Sequence, residues 1–201
     1  MTTLFKDIET AINEIGHGWT SVSKGQTMAG MVLALRPKIS LEIGVYAGKG
    51  LVSLGLAHKA IRHGMAIGID PYSSTASIQG QTNPADLEFW KKIDHTMILD
   101  VCRTALAKWD VVPFTNIIQK SSDDVEPNAG IGILRIDGNH AEAALRDTMR
   151  FAPCVIIGGF LLLDDIAWAG GHVGRAAQWL KQAGWRELYS LDDGPVFQRV
   201  K

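Results

Sequence analysis

Short β-branched runs alternate along the chain with longer stretches of helical periodicity, which restricts it to a parallel sheet with crossover helices. The runs are Ile39–Val45, Met65–Asp70, Phe114–Gln119, Ile131–Asp137 and Cys154–Leu163. They are apolar on both faces, as strands must be when helices cover a sheet on each side. Two further runs, Trp185–Leu191 and Val196–Val200, flank Asp192-Asp193-Gly194-Pro195. That turn predicts a closing antiparallel hairpin. The expected fold class is α/β: a doubly wound sandwich around a mostly parallel seven-stranded sheet, with a reversed C-terminal strand.

Such a fold uses most of the 201 residues, so one domain is expected over 1–201, with a helical N-terminal segment (1–38) and an insert (71–113). The insert opens on the polar stretch Tyr72–Asn83, read as an exposed loop suited to a lid. Asn83-Pro84 with Asp86 and Glu88 then marks a helix start. Leu87, Trp90, Ile93, Met97 and Val101 continue one helical stripe, which predicts a core position for Trp90.

Twenty Lys and Arg against 21 Asp and Glu give a formal charge of −1. A nucleic-acid binder usually carries a basic excess, and a polybasic membrane anchor a cationic cluster. The longest apolar run, Cys154–Leu163, is broken by Gly158-Gly159; crossing a bilayer takes about 20 apolar residues. Lys6, Asp7 and Glu9 interrupt any signal-peptide layout at the start. Cys102 and Cys154 build neither a disulfide framework nor a zinc spacing and are expected to be reduced and buried. The expectation is a cytoplasmic protein with no nucleic-acid or membrane partner.

Acids collect at the strand ends. Glu42 lies in the first strand, Asp70 ends the second, Asp137 the fourth, and Asp164-Asp165 the fifth. In an open parallel sheet these ends face the ligand crevice. Carboxylates gathered there repel one another unless cations or hydroxyl donors take up their charge. Asp70 is placed to accept from ribose hydroxyls. Asp137 and the Asp164-Asp165 pair make a hard-ligand set suited to magnesium, manganese or calcium.

The loop Glu42-Ile-Gly-Val-Tyr-Ala-Gly48 matches neither G-x-G-x-x-G nor a P-loop. It resembles motif I, [DE]-x-G-x-x-x-G, of class I S-adenosylmethionine-dependent methyltransferases. Asp137-Gly-Asn-His140 and Gly158-Gly-Phe-Leu-Leu-Leu-Asp-Asp165 sharpen the likeness. From about Ser23 onward the chain resembles the small divalent-metal-dependent O-methyltransferases of the catechol, caffeoyl-CoA and macrolide-sugar type. Ser23-Lys-Gly-Gln-Thr-Met28 resembles the segment preceding motif I in the catechol group.

The resemblance implies a Rossmann-like methyltransferase sandwich and S-adenosylmethionine held by Glu42, Gly44, Tyr46, Gly48, Asp70 and Asp137. Ser121 and Ser122, after strand three, are implied at the adenine, although plain N-capping accounts for them equally. A divalent cation on Asp137, Asp164 and Asp165 is implied, with the register of the last pair open by one residue. His140 stands where catechol-type enzymes carry a catalytic lysine; with Asp137 it is a candidate catalytic residue, since histidine takes a proton near neutral pH. The other histidines, His17, His58, His63, His95 and His172, are read as surface or packing residues. Trp168 is a candidate for the acceptor pocket or for packing. The implied acceptor is a small hydroxylated molecule, and a homodimer is a family-level expectation.

Two other classes fit part of the pattern. A nicotinamide-dependent oxidoreductase shares the fold, but the glycine spacing opposes it. A nonenzymatic nucleoside-binding module makes the acids structural and leaves Asp137 and the Asp164-Asp165 pair splayed apart.

Overall fold

The seven expected strands are β1 (Ile39–Ile43), β2 (Met65–Ile69), β3 (Thr115–Ile118), β4 (Ile131–Ile136), β5 (Val155–Leu163), β6 (Trp185–Leu191) and β7 (Gly194–Arg199). They form one sheet in the order β3-β2-β1-β4-β5-β7-β6. The first five are mutually parallel, and only β7, inserted between β5 and β6, is reversed. The computed structural model describes residues 2–80, 83–168 and 170–201. Among these, no helix is long and apolar enough to cross a membrane.

Strand alternation assigns the two cores. Ile133, Leu162 and Val196 face one side, beneath α1 (Thr2–Glu14), α2 (Val22–Leu35) and α3 (Lys49–Ile61). Leu41, Ile43, Leu134, Leu161 and Phe197 face the other, against α7 (Glu142–Phe151) and α8 (His172–Gln182). Each such fully buried aliphatic side chain contributes roughly 1.5–3 kcal/mol. The first face also carries Glu42 and Arg135, directly opposite each other in the β1–β4 register. Asp137 and Asp164 continue that face two residues beyond Arg135 and Leu162, as the ladder extends through Asp137 N–H to Ile43 O and Asp164 N–H to Ile136 O. Register alone therefore gathers four charged residues.

The insert departs from the sequence reading. Ser74–Ile78 forms a short helix, α4, where a loop was expected. The Ser77 hydroxyl donates back to Ser73 O, and the Asn139 amide donates to Ala76 O and Gln79 O, fixing the segment from outside. Gln81 and Thr82 of the same stretch lie outside the described residues. The Asn83-Pro84 start is where expected, with Asn83 Oδ1 accepting from Ala85 N–H at 2.9 Å in α5 (Pro84–Lys92).

The single long helix expected after it is broken at Ile93-Asp94. Asp94 Oδ1 accepts from Thr96 N–H and Met97 N–H and starts α6 (His95–Lys108). An aspartate inside an apolar stripe was an N-cap, which ends one helix and begins another. The break moves Trp90 from its expected core position into an aromatic cluster with Trp19, Tyr46 and Phe89. Cys102 is buried as expected, whereas Cys154 is half-buried.

Candidate active site

The loop between β1 and α3 turns on Gly44, at φ +85°. A Cβ there would lie 2.3 Å from Asp137 O, so glycine lets the first loop rest against the end of β4. At Gly50 a Cβ would fall 1.9 Å from Glu42 Oε1. The missing side chain there makes room for a buried carboxylate.

Asp70 ties this loop to the end of β2. Its Oδ2 accepts from Val45 N–H and Tyr46 N–H at 2.9 Å each, and its Oδ1 accepts from Tyr72 N–H at 2.7 Å. The Tyr72 hydroxyl donates to Tyr46 O at 2.9 Å. An ionised carboxylate offers about four lone-pair sites, so Asp70 can hold three peptide groups and still accept from a ligand.

The expected gathering of acids is organised by two cations that the sequence reading did not single out. Arg135 is buried in β4 and reaches Glu42 at 2.6 Å, Asp137 at 2.5 Å and Asp164 at 2.5 Å. Lys24 of α2 pairs with Asp164 and, at 2.9 Å, with Asp193 in the β6–β7 turn. Burial alone would lift the Asp164 carboxyl, but Arg135 and Lys24 hold it below its ordinary value. The sequence signal was an arginine inside an otherwise apolar strand, which can be buried only among acids.

This network corrects two expectations. Glu42 lies below the glycine loop, fully buried, and its carboxylate faces Arg135 instead of the cavity. Asp164 has both oxygens engaged by Lys24 and Arg135, which removes it from the expected metal set. Its neighbour turns the other way: Asp165 adopts the left-handed region at φ 55°, and its Oδ2 lies 2.8 Å from His140 Nε2. That hydrogen bond holds the Asp165 carboxyl down at about 2, against the effect of burial. Asp137, His140 and Asp165 each offer one ligand atom, all within 4.8 Å of one another. The cluster has the donors for a divalent cation, with histidine replacing the expected Asp164.

Burial pushes Glu42 up to about 7 from an ordinary value of 4.5, with Arg135 opposing, and its Oε2 has no hydrogen-bond partner among the described residues. The folded state then binds more protons than the unfolded one between these values, so stability falls as pH rises through that window. Glu42→Gln is expected to remove a loss of about 3 kcal/mol between pH 4.5 and 7.5. Chemical denaturation across that range checks it; an unchanged pH slope would contradict it.

One cavity of about 620 Å³ connects these parts. Gly44, Tyr46, Gly48, Asp70, Ser121, Ser122, Asp137, His140 and Asp165 line it, as does Trp168, whose ring lies 5.1 Å from His140. His17 and His95, read from sequence as surface or packing residues, also line it. His58 is a packing residue, bonded to Ser40 and to His63 O. Trp19, 70% exposed, stacks on Tyr46 at 5.6 Å along one wall.

A glycine loop and an acid at successive strand ends thus open into one cavity that also holds an acid–histidine cluster, in a doubly wound domain. Residues 41–166 match the family model described as a methyltransferase domain, and the chain belongs to that family. No curated protein sequence matches it. Among solved structures it is similar to the O-methyltransferase NovP, with a TM-score of 0.72 and 15% identity over 90% of this chain and 81% of that one. It is also similar to the O-methyltransferase TomG from Streptomyces achromogenes, solved in complex with SAM: TM-score 0.63, 13% identity, 98% of this chain and 89% of that one. A third is the O-methyltransferase from Bacillus cereus in complex with SAH: TM-score 0.60, 9% identity, 99% and 91%. These likenesses establish a shared fold, the one expected from the strand pattern.

Proposed function

We propose that this chain transfers the methyl group of S-adenosylmethionine to a hydroxyl of a small-molecule acceptor, with a divalent cation at Asp137, His140 and Asp165. The observation that carries the reading is the continuity of the cavity. Its nucleoside end, at the glycine loop and Asp70, opens into the same space as Asp137, His140 and Asp165. The charge balance supports it too. Two buried cations, Arg135 and Lys24, face Glu42, Asp137, Asp164 and Asp193, with Asp165 adjacent. The acids outnumber the cations there, and burial raises Glu42 and Asp137 toward the neutral form, a tendency that a bound cation would reverse. The solved neighbours named as complexes with SAM or SAH fit the same cofactor.

When bound, S-adenosylmethionine supplies an activated methyl group, and a divalent cation lowers the pKa of an acceptor hydroxyl. The chain's own residues position and exclude. Asp70 fixes the glycine loop and would accept from ribose hydroxyls; Trp19, Tyr46 and Trp90 form one wall of the cavity; Arg135 orients Asp137. Holding two reactants in line contributes most of the rate when the leaving group is already activated.

A second reading rests on the 2.8 Å His140–Asp165 contact itself. Neutral His140 donating from Nε2 to Asp165 keeps its basic lone pair on Nδ1, and would serve as a metal-free general base. Titration with manganese separates the two. The cation reading expects saturable binding that weakens more than about tenfold in Asp165→Ala. Absence of manganese binding, with methyl transfer surviving a chelator, would favour the base alone. A cytoplasmic setting accords with the two free cysteines, and within the proposed single domain the acceptor would be selected by Tyr72–Asn83, the first residues and the segment after Asp165.

A further inference from the structure

Asp147 lies in the second turn of α7, only 3% exposed, and lines the cavity next to Ser121 and Ser122. The two arginines flanking it on the helix are committed elsewhere. Arg146 forms a two-pronged pair with Asp123 at 2.7 and 2.8 Å, and Arg150 donates to Ser122 O at 2.7 Å and Val125 O at 3.0 Å. These bonds clamp the segment after β3 to α7 and make a stiff wall. Asp147 Oδ1 has no hydrogen-bond partner among the described residues. Leaving a buried acceptor unmade costs free energy that a ligand donor recovers. Burial pushes this carboxyl up to about 6, with the Ser122 hydroxyl opposing, so above neutral pH it is mostly an ionised acceptor.

The sheet order says which part of a ligand arrives there. The β4 and β5 ends carry the acid–histidine cluster, β1 the glycine loop, β2 Asp70, and β3 leads to Ser121 and Ser122. A nucleoside with its ribose hydroxyls on Asp70 and its reactive end toward β4 places its base outward, beside Ser122 and α7. We propose that Asp147 is the residue that selects adenine, by accepting a hydrogen bond from its exocyclic amine. This rests on the reading of the cavity as an S-adenosylmethionine site. A purine with a carbonyl at that position would set oxygen against oxygen.

The test compares S-adenosylhomocysteine with its hypoxanthine analogue, by calorimetry at pH 7.5, on the wild-type chain, Asp147→Asn and Asp147→Ala. A hydrogen bond to a charged acceptor predicts a wild-type preference for adenine of roughly 10- to 100-fold. The preference should vanish in Asp147→Ala. In Asp147→Asn, whose amide can donate to the carbonyl, it should vanish or reverse. Equal wild-type affinities, or an unchanged preference in either folded variant, would overturn the role of Asp147 while leaving the cofactor reading standing. Failure of the wild type to bind either ligand would overturn both.

Discussion

Arg135→Met is expected to destabilise the protein by about 3–5 kcal/mol, because removing one partner from a buried ionic group leaves the others uncompensated. Glu42 and Asp164 are both buried; Arg135 is the cation paired with Glu42, and it shares Asp164 with Lys24. Methionine is similar in length and apolar, so the effect isolates charge from volume. For a chain of this size the melting temperature should fall on the order of 10 °C, measured by circular dichroism. A change below about 1 kcal/mol would mean the network is neutral to the fold, as some exposed ion pairs are.

Asp70→Ala carries the second large effect, on ligand binding. It removes the acceptor of three backbone N–H groups, from Val45, Tyr46 and Tyr72, and with it the shape of the glycine loop proposed to hold the cofactor. It also removes the proposed acceptor for ribose hydroxyls. Hydrogen bonds to a charged group are worth about 1.5–3 kcal/mol each, so affinity for S-adenosylhomocysteine should drop on the order of 100-fold or more. The ligand-induced rise in melting temperature should disappear with it. Retention of wild-type affinity would remove Asp70 from the site.

Much of this was legible before any coordinates. Strands apolar on both faces gave the sheet, and the turn at Asp192–Asp193 gave the reversed β7. The glycines at 44 and 48 marked the loop. What failed to show was which way neighbouring acids turn. Asp164 and Asp165 are adjacent and chemically alike, yet a left-handed backbone at Asp165 sends one into the Arg135–Lys24 network and the other toward His140. Sequence spacing carries no record of that turn.

Lys24 was equally opaque. It reads as an ordinary helix lysine, and only the packing of α2 over the strand ends brings it to Asp164. Arg135 was missed as well, although a lone arginine inside the otherwise apolar run Ile131–Ile136 is a signal of burial among acids. Asp94, hidden in an apolar stripe, and the Ser74–Ile78 helix, held by Asn139 from a distant segment, show local pattern overruled by capping and by tertiary hydrogen bonds.

The cavity over β1, β2 and β4 is proposed to receive S-adenosylmethionine. Calorimetric titration of the wild-type chain with S-adenosylmethionine tests it most directly. Saturable one-to-one binding, accompanied by a rise in melting temperature, is the expected result. No heat of binding and no thermal shift up to millimolar ligand would contradict it.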